Sequence, residues 1–324
     1  MDATGILIFS EDQDLVLELL TVALSLRGDA NDPIFVAAIG EAPQAMAETS
    51  LAHGADEILV VKTAAEIESD AGQMAAILHE VVEKVRPATI LVGATRLGAD
   101  TVARLAQKLK APCASDCMTL KRIADGEIEI TRRVYGGRFV ALQVLEGSPR
   151  IASIPPNRFA KANPVQAPKA SIKEVPITSS PPRVRILGAA QRVRSAVDVT
   201  KAEVIVAAGR GVKKREDLAL LNGLADTLGG VLAGSRPLTG DVDWLPVDSR
   251  IGLSGQTVKP NLYVACGISG QIEHIVGMKD SRTVVAINSD AKAPIHAEAD
   301  YSVVGDLYEF VPAFMEACAR ARQS

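Results

Sequence analysis

The sequence is poor in aromatic residues and in cysteine. Aromatic side chains make up 3% of the 324 residues although 48% of the chain is hydrophobic, so its cores must be built from Val, Ile, Leu and Ala. That composition favours parallel α/β layers, because the central strands of a parallel sheet are covered on both faces. Four cysteines are too few for a disulfide scaffold in a chain of this length.

The cysteines also give no sign of a metal or redox centre. Only Cys113 and Cys117 lie close together, in the stretch CASDC. This spacing is one residue longer than that of a redox CxxC pair, and the flanking sequence offers no second pair of zinc ligands. We therefore expect no metal site and interpret both residues as buried or loop thiols.

A basic surplus and a long apolar run are missing as well. The formal net charge of −4 argues against nucleic acid as the main partner, since phosphate binding needs a concentrated basic surface. No uninterrupted apolar segment reaches the length that crosses a bilayer. The N-terminal stretch MDATGILIFSEDQD is acidic and lacks a basic start with a cleavage site. We expect a cytoplasmic protein that does not insert directly into a membrane.

The length suggests two domains. In the first part of the chain, short apolar runs with β character alternate with helical patterns, which predicts a mainly parallel sheet with right-handed crossovers. Strands are predicted over residues 6–9, 34–38, 58–61 and 89–92, and helices over 15–26, 42–52, 71–85 and 100–109. Later strands, predicted over 127–132, 139–145 and 151–154, are expected to join or extend the same sheet.

Proline marks the end of this first domain. Residues 155–182 carry seven of the seventeen prolines, which predicts an extended arm in place of packed secondary structure. The arm is rich in basic residues and either holds a partner chain or lies as a solvated loop on its own domain. One more strand is predicted over 183–187. We divide the chain into an N-terminal α/β domain (1–191), a linker (192–199) and a C-terminal domain (200–324).

The most informative stretch of the C-terminal domain is VACGISGQIEHIVGM, residues 264–278. Its pattern predicts a strand, a tight glycine turn and a helix that contains His274. Such a turn leaves the first helical N–H groups unpaired at the positive end of the helix dipole, which suits a phosphate. The alternative is that the glycines only allow the strand to pack against the helix.

A similar signal opens this domain, where a strand over 203–208 is followed by Gly209, Arg210 and Gly211. An arginine between two glycines can hold a phosphate bidentately while the backbone approaches it. The pattern is not GxGxxG, so an ordinary Rossmann NAD site is not indicated.

Further strands, over 230–233, 283–288 and 301–304, also end in polar residues: Ser235 with Arg236, Asn288, and Asp306. The carboxyl ends of parallel strands lie along one edge of a sheet, where ligands bind. Several polar ends on one edge predict a long ligand that carries phosphates, which points to a nucleotide cofactor.

The C-terminal domain resembles the alpha subunit of electron transfer flavoprotein in two stretches, GSRPLTGDVDWLPVDSRIGLSG and KPNLYVACGISGQIEHIVGMKDSRTVVAINSDAKAPIHAEADYSVVGDL. The order and spacing of the SR, GISG, H, MKD, AIN, AP, AD and DL elements all agree with that family. In the first domain the likeness is looser, chiefly in ATRLGADTVARLAQKLKAP and the ASDC that follows.

The resemblance implies two α/β domains, each a mainly parallel sheet flanked by helices, the C-terminal one a Rossmann-like FAD-binding domain. It also implies a heterodimer with a beta subunit that carries AMP or a second FAD. The pair would be an electron carrier and not an enzyme. Its FAD would accept electrons from a dehydrogenase, of the acyl-CoA type in fatty acid beta-oxidation, and pass them singly to a quinone oxidoreductase or similar acceptor.

Two alternatives stay open at this point. The first is an NADH-dependent electron-bifurcating flavoprotein, which the alpha chain alone scarcely separates from a simple carrier because the extra flavin would lie in the partner. The second is a nucleotide-binding regulatory protein with no redox role.

The resemblance assigns no residue to catalysis but places FAD against residues from most strand ends of the C-terminal domain. We expect the turn at 269–271 to face the pyrophosphate and the last strand ends to face the adenosine. The expected cofactor-binding residues are Arg210, Ser235, Arg236, Ile251, Gly252, Leu253, Ser254, Ser269, Gly270, Gln271, Ile272, Glu273, His274, Asn288, Asp306 and Leu307.

Three of these residues are expected to tune the flavin. Positive charge or hydrogen-bond donors near N1 and the C2 carbonyl of a flavin favour electron uptake by the flavin. The resemblance puts His274 near that carbonyl, Arg236 over the ring and the Ser254 hydroxyl near N5. The alternatives are a core or capping histidine and a surface ion pair of Arg236 with Asp241 or Asp243.

The chain departs from the family at one position, since members commonly read GQTG where this sequence reads Gly252, Leu253, Ser254 and Gly255. Leu253 lacks the amide of the glutamine, so we expect FAD binding to survive while the flavin potentials or its air sensitivity differ. Replacing Leu253 with Gln should therefore shift at least one of the two flavin potentials, measured by dye-coupled reductive titration. Two unchanged potentials would contradict this expectation.

Overall fold

The computed structural model describes residues 3–27, 32–64, 67, 69–123, 126–135, 137–165, 171–178 and 198–321. The chain forms two compact units, one containing the secondary structure before residue 178 and the other the secondary structure after residue 198. The linker predicted from residue 192 and the strand predicted over 183–187 lie largely or wholly outside the described residues, so the boundary stays a prediction. Both units are α/β with mainly parallel sheets, as expected.

In the first unit, strands and helices alternate as far as α4. The strands are β1 (Ile6–Phe9), β2 (Ile34–Gly40), β3 (Glu57–Lys62), β4 (Thr89–Gly93), β5 (Cys113–Ala114), β6 (Cys117–Arg122), β7 (Ile128–Val134), β8 (Phe139–Leu145), β9 (Arg150–Ile154) and β10 (Ser171–Glu174). The helices are α1 (Gln13–Arg27), α2 (Gln44–Ala52), α3 (Ala71–Val85) and α4 (Arg96–Leu109).

The main sheet of this unit has the strand order β10-β3-β2-β1-β4-β9-β5, and its pairings are parallel. Side chains of a strand alternate between the two faces of a sheet, and both faces here are buried. On β1, Ile6 and Ile8 contribute to the core layer that contains α1, whereas Leu7 and Phe9 contribute to the layer that contains α3 and α4. A central strand covered on both sides explains the unbroken apolar run ILIF.

The fourth helix begins at Arg96, four residues before the predicted start at 100. Thr95 has extended backbone angles and its side chain accepts a hydrogen bond from the Gly98 N–H at 2.9 Å, which satisfies one of the unpaired donors at the helix start. Gly98 also lies against β4, where a Cβ would come within 1.9 Å of the Gly93 carbonyl oxygen.

The expectation that all later strands join one sheet is wrong for two of them. β6, β7 and β8 form a separate three-stranded antiparallel sheet, and only β9 enters the main sheet. Val134 pairs with Phe139 across a short connection, so β7 and β8 form a hairpin, which requires antiparallel pairing. An antiparallel sheet can leave one face in water, and Val140 and Leu142 of β8 are exposed.

The extended arm predicted over 155–182 also contains secondary structure. Ser171–Glu174 forms β10, which pairs in parallel with β3 at the edge of the main sheet. All four of its residues are exposed, so no apolar period signalled the strand. Ion pairs of Lys62 with Glu174 and of Lys173 with Glu57 join the two strands.

The beginning of the arm is held by one buried carboxylate. Glu18 of α1 is 4% exposed and accepts backbone N–H groups from Asn157 at 2.8 Å, Arg158 at 2.8 Å and Phe159 at 3.0 Å. A buried charge is tolerated only where hydrogen bonds replace its hydration. Glu18 therefore fixes the chain after β9 onto the first helix.

Replacing Glu18 with Gln should lower the free energy of unfolding of the first unit by about 1.5–3 kcal/mol, because hydrogen bonds to a charged acceptor are lost and a buried amide is left mismatched. Urea unfolding followed by far-ultraviolet circular dichroism measures the change. The matched control is Glu48→Gln, at an exposed position on α2, which should stay within about 0.5 kcal/mol of the wild type. Equal effects of the two substitutions would contradict the role given to Glu18.

The second unit contains one parallel sheet with the order β12-β11-β13-β14-β15. Its strands are β11 (Val204–Ala208), β12 (Val231–Gly234), β13 (Leu262–Cys266), β14 (Val284–Asn288) and β15 (Tyr301–Val304), and its helices are α5 (Leu218–Leu228), α6 (Ile272–Ile275) and α7 (Leu307–Ala321). From β11 the chain winds first to β12 on one side and later to β13 on the other. A reversal of this kind opens a crevice at the carboxyl ends of the two adjacent strands.

The helix predicted to run through Met278 is shorter than expected, because α6 ends at Ile275. The following residues form turns, and Gly277 lies so close to the loop at Gly252 that a Cβ would come within 2.4 Å of the Gly252 nitrogen. A single turn of helix has little dipole. An anion bound at this point would therefore be held by hydrogen bonds from individual N–H groups and not by a helix dipole. Within the described residues, the helices are all too short or too polar to cross a membrane.

Candidate cofactor site

A cavity of about 710 Å³ lies at the carboxyl edge of the second sheet. Residues that follow all five strands line it, which is the arrangement the sequence pattern predicts for a long ligand. Among its lining residues are Arg210 and Gly211 after β11, Ser235 and Arg236 after β12, Gly267 and Ser269 after β13, Asn288 and Ser289 after β14, and Gly305 and Asp306 after β15.

The expected cofactor-binding residues line this cavity with two exceptions, Gly270 and Ile272. Gly270 has a φ of 83°, and a Cβ there would come within 2.2 Å of the Ile295 nitrogen. Its backbone conformation and its packing therefore both require glycine. Ile272 is half-buried at the start of α6. The roles of the lining residues toward a cofactor stay predictions.

The two glycine turns of the crevice touch each other. The Gly211 N–H donates to the Gly267 carbonyl at 3.0 Å, and a Cβ on Gly211 would come within 2.6 Å of the Gly267 Cα. A Cβ on Gly209 would meet the Gly267 carbonyl oxygen at 2.3 Å. These glycines are therefore needed for packing, as the alternative interpretation held. The same contact brings the two candidate phosphate-binding turns side by side.

The turn after β13 offers consecutive backbone donors. In the described part of the chain, the N–H groups of Ser269, Gly270 and Gln271 make no hydrogen bond. Successive N–H groups in a turn with a left-handed residue form a concavity that binds anions. Asn288 braces this turn from the next strand, since its side-chain amide donates to the Ile268 carbonyl at 2.7 Å and its Oδ1 accepts from the Asp290 N–H at 2.9 Å.

Two guanidinium groups line the cavity without partners. Arg210 and Arg236 are exposed and make no ion pair or side-chain hydrogen bond with the residues that the structure describes. The alternative ion pair of Arg236 with Asp241 or Asp243 does not occur among the described contacts. Arg250 is different, because its Nε donates to Thr239 Oγ1 at 2.8 Å and its side chain has a structural role.

Sequence reasoning missed a third cation of the cavity, Lys213. Its Nζ lies 3.9 Å from Asp306 Oδ2 and 4.9 Å from the centre of the Tyr308 ring. Lys213 comes two residues after the GRG triplet at 209–211. This short spacing is the sequence signal that could have identified Lys213 as a cavity residue. Three cations line the cavity together with two carboxylates, those of Asp306 and Glu273, and the positive groups suit an anionic ligand.

His274 is a buried titratable group of the cavity wall. It is 7% exposed, and its Nε2 lies 2.9 Å from the hydroxyl of Tyr263. Burial lowers the pKa of His274 to about 4, against a smaller opposing effect from the Ile251 backbone. The ring is therefore neutral at pH 7 and acts as a hydrogen-bonding group without charge. Its Nδ1 has no partner with hydrogen-bond geometry among the described residues.

The loop at 252–255, where the sequence departs from the family, is hydrogen-bonded to α6. The Leu253 N–H donates to the Glu273 carbonyl at 2.6 Å, and a Cβ on Gly252 would come within 2.5 Å of the same oxygen. The Leu253 side chain is 65% exposed and Ser254 is exposed beside it. Both side chains thus stand at the cavity rim while their backbone is fixed.

These groups together fit a dinucleotide with a ring system at one end. Unpaired arginines and backbone donors suit the phosphates, and a buried imidazole nitrogen without a partner is satisfied once a ligand supplies its acceptor. Within the described residues, no three His, Cys, Asp or Glu side chains cluster in a way that could hold a metal ion.

Comparison with known proteins agrees with this reading. The electron transfer flavoprotein domain model matches residues 7–180, and the electron transfer flavoprotein FAD-binding domain model matches residues 198–279. The chain is 32% identical to the electron transfer flavoprotein subunit alpha of Clostridium acetobutylicum over 96% of both chains. The chain belongs to the electron transfer flavoprotein alpha-subunit family. Its second unit accordingly carries the FAD-binding domain.

Other relatives of this flavoprotein subunit have different names. The chain is 34% identical to Protein FixB of Clostridium saccharobutylicum, over 99% of this chain and 97% of the relative. It is 31% identical to the subunit LctC of lactate dehydrogenase (NAD(+),ferredoxin) from Acetobacterium woodii, over 92% of this chain and 72% of the relative. Proteins with different names are thus similar to this chain over most of its length.

Acidification should destabilise the FAD-binding unit through His274. The unfolded residue has a pKa of 6.5 and the folded one a pKa of about 4, so between these values the unfolded chain binds more protons and stability falls as pH falls. The free energy of unfolding should drop by roughly 2 kcal/mol between pH 7 and pH 5 from this group alone. His274→Asn should abolish that part of the drop.

Urea unfolding at the two pH values measures this effect in the cofactor-free chain. Trp244, the only tryptophan, lies in the FAD-binding unit and its fluorescence reports the relevant transition. A difference in unfolding free energy between wild type and His274→Asn that stays constant from pH 7 to pH 5 would show that the folded histidine is not held neutral.

Proposed function

We propose that this chain is the alpha subunit of a heterodimeric electron transfer flavoprotein whose FAD accepts electrons from a dehydrogenase and passes them singly to a quinone oxidoreductase or a similar acceptor. The observation that carries the proposal is the cavity at the carboxyl edge of the second sheet, with two unpaired guanidinium groups and one neutral, buried imidazole in its wall. Bound FAD supplies redox chemistry in one-electron and two-electron steps.

The residues of the chain bind and orient that cofactor. The free N–H groups of 269–271 and the Arg210 guanidinium would hold the pyrophosphate, because both are anion donors at one crevice. Asp306 and Lys213 would lie at the adenosine end. Arg236 would place positive charge beside the isoalloxazine ring and His274 would offer it a hydrogen bond, both of which favour electron uptake.

In this proposal the chain is a carrier without enzymatic activity of its own. The donor is an acyl-CoA dehydrogenase in this proposal, and the location is the cytoplasm. A beta subunit completes the heterodimer and carries AMP.

The second candidate is a subunit of an electron-bifurcating flavoprotein. The similarity to a subunit of an enzyme named for both NAD(+) and ferredoxin favours it. In that case the beta subunit would carry a second FAD in place of AMP, and the pair would split electrons from NADH between two acceptors.

Purification of the chain together with its coexpressed beta subunit tests these proposals. One FAD and one AMP per heterodimer supports the carrier, and two FAD supports the bifurcating complex. The yellow colour should bleach reversibly with dithionite. A colourless complex, or one whose bound nucleotide does not respond to dithionite, would leave a nucleotide-binding regulatory protein as the function and overturn both redox proposals.

Replacing Arg236 with Gln should weaken FAD binding by about 10-fold to 100-fold, because a charge-assisted interaction contributes about 1.5–3 kcal/mol. Titration of the flavin-free heterodimer with FAD, followed by the quenching of flavin fluorescence, measures the affinity. The matched control is Arg215→Gln, at an exposed arginine of the same unit that does not line the cavity. Wild-type affinity in the Arg236 variant would remove this residue from the cofactor site.

A further inference from the structure

Tyr263 is the only side chain that hydrogen-bonds to the His274 ring in the described part of the chain. It is the second residue of β13, and its side chain is fully buried. Its hydroxyl approaches His274 Nε2 at 2.9 Å, with the two rings tilted by 55° and their centres 6.2 Å apart. In the described part of the chain, this is the only hydrogen bond of the hydroxyl.

Both partners are neutral. Burial raises the pKa of Tyr263 well above its ordinary value, and the nearby Cys266 thiol adds to the shift, so the phenol keeps its proton. The imidazole is neutral for the reason given above. A neutral histidine carries hydrogen on one ring nitrogen only, and the hydrogen bond made by the other nitrogen decides which.

The two tautomers differ in how many buried groups they leave without a partner. If His274 carries hydrogen on Nε2 and donates to the tyrosine oxygen, the phenolic O–H has no acceptor and Nδ1 has no donor. If the phenol donates to Nε2, the phenolic O–H and Nε2 satisfy each other, and only the N–H at Nδ1 is left without an acceptor. Because an unpaired buried donor or acceptor destabilises the folded protein, the second arrangement, which leaves one such group in place of two, is preferred.

The position of Nδ1 agrees with that choice. The Ile251 backbone lies near enough to His274 to raise its pKa, as an acceptor beside an imidazole N–H does, although no partner of Nδ1 meets hydrogen-bond geometry among the described residues. Ile251 and Gly252 line the cavity together with His274. Nδ1 is therefore a buried ring atom still without a hydrogen-bond partner among the described residues, on a ring that lines the cavity.

We propose that Tyr263 is a positioning residue that fixes His274 as the tautomer with hydrogen on Nδ1, so that the ring meets the cofactor as a hydrogen-bond donor. The role in tuning a flavin rests on the proposed function. The tautomer itself does not, because the Tyr263 to His274 contact exists in the protein without any ligand.

The test is the tautomer of His274 in the full-length, FAD-free chain labelled with ¹⁵N-histidine. Long-range ¹H–¹⁵N correlation spectra separate a protonated Nδ1 from a protonated Nε2, and His274→Asn identifies the signal. We expect the wild type to show hydrogen on Nδ1. Tyr263→Phe keeps the ring in the core but removes the hydroxyl, and it should give a mixture of tautomers or hydrogen on Nε2.

Tyr301→Phe serves as the matched control, because Tyr301 is exposed at 66% on the edge strand of the same sheet and should leave the spectrum unchanged. Hydrogen on Nε2 in the wild type, or an unchanged tautomer in Tyr263→Phe, would overturn the proposal. If Tyr263→Phe does not fold, as Trp244 fluorescence would reveal, the wild-type spectrum still decides which nitrogen is protonated.

FAD binding and flavin potentials of the reconstituted heterodimer test the proposed function separately from the tautomer. Tyr263→Phe should bind FAD at least 10-fold more weakly or shift a flavin potential, and Tyr301→Phe should do neither. The expected tautomer in a chain that binds no FAD would overturn the electron-carrier function and leave the positioning role of Tyr263 intact.

Discussion

The contact between the turns after β11 and β13 is the constraint on which the rest of the site depends. Gly209 and Gly211 pack directly on Gly267, with no room for a Cβ on any of them. Because the chain leaves β11 and β13 in opposite directions, their carboxyl ends open into a crevice, and the backbone contact closes its floor. Arg210 projects from one of these turns, and the free N–H groups of 269–271 belong to the other.

Charge and burial are divided between two parts of the cavity. The guanidinium groups of Arg210 and Arg236 lie in exposed positions, where a full charge costs little desolvation. His274 lies in the wall, where burial removes its charge and leaves a directional hydrogen-bonding group. A ligand that carries both phosphates and a polarisable ring matches this combination of exposed charge and buried hydrogen-bonding group, which is why the FAD-binding domain of the family suits the geometry of this chain.

Much of the fold could be predicted because local sequence patterns indicate most of its strands and helices. The parallel strands of both sheets appear in the sequence as short apolar runs, since such strands are buried on both faces. The strands that pattern reading placed wrongly or missed are the ones without that property. β7 and β8 pair with each other through a local hairpin, and β10 has four exposed residues that are ordered only by pairing with β3.

The candidate site divides in the same way. Glycine turns and polar residues after strands are local signals, so the amino-acid sequence determined which residues meet at the carboxyl edge of the second sheet. Only the tertiary structure decided that Arg236 has no ion-pair partner among the described residues, that α6 is a single turn, and that Tyr263 reaches across to His274. A tyrosine inside an apolar strand looks like any core residue in sequence. The role of its hydroxyl can be recognised only after folding brings a histidine from a later segment to within hydrogen-bond distance. Burial and this long-range contact set the protonation of both groups.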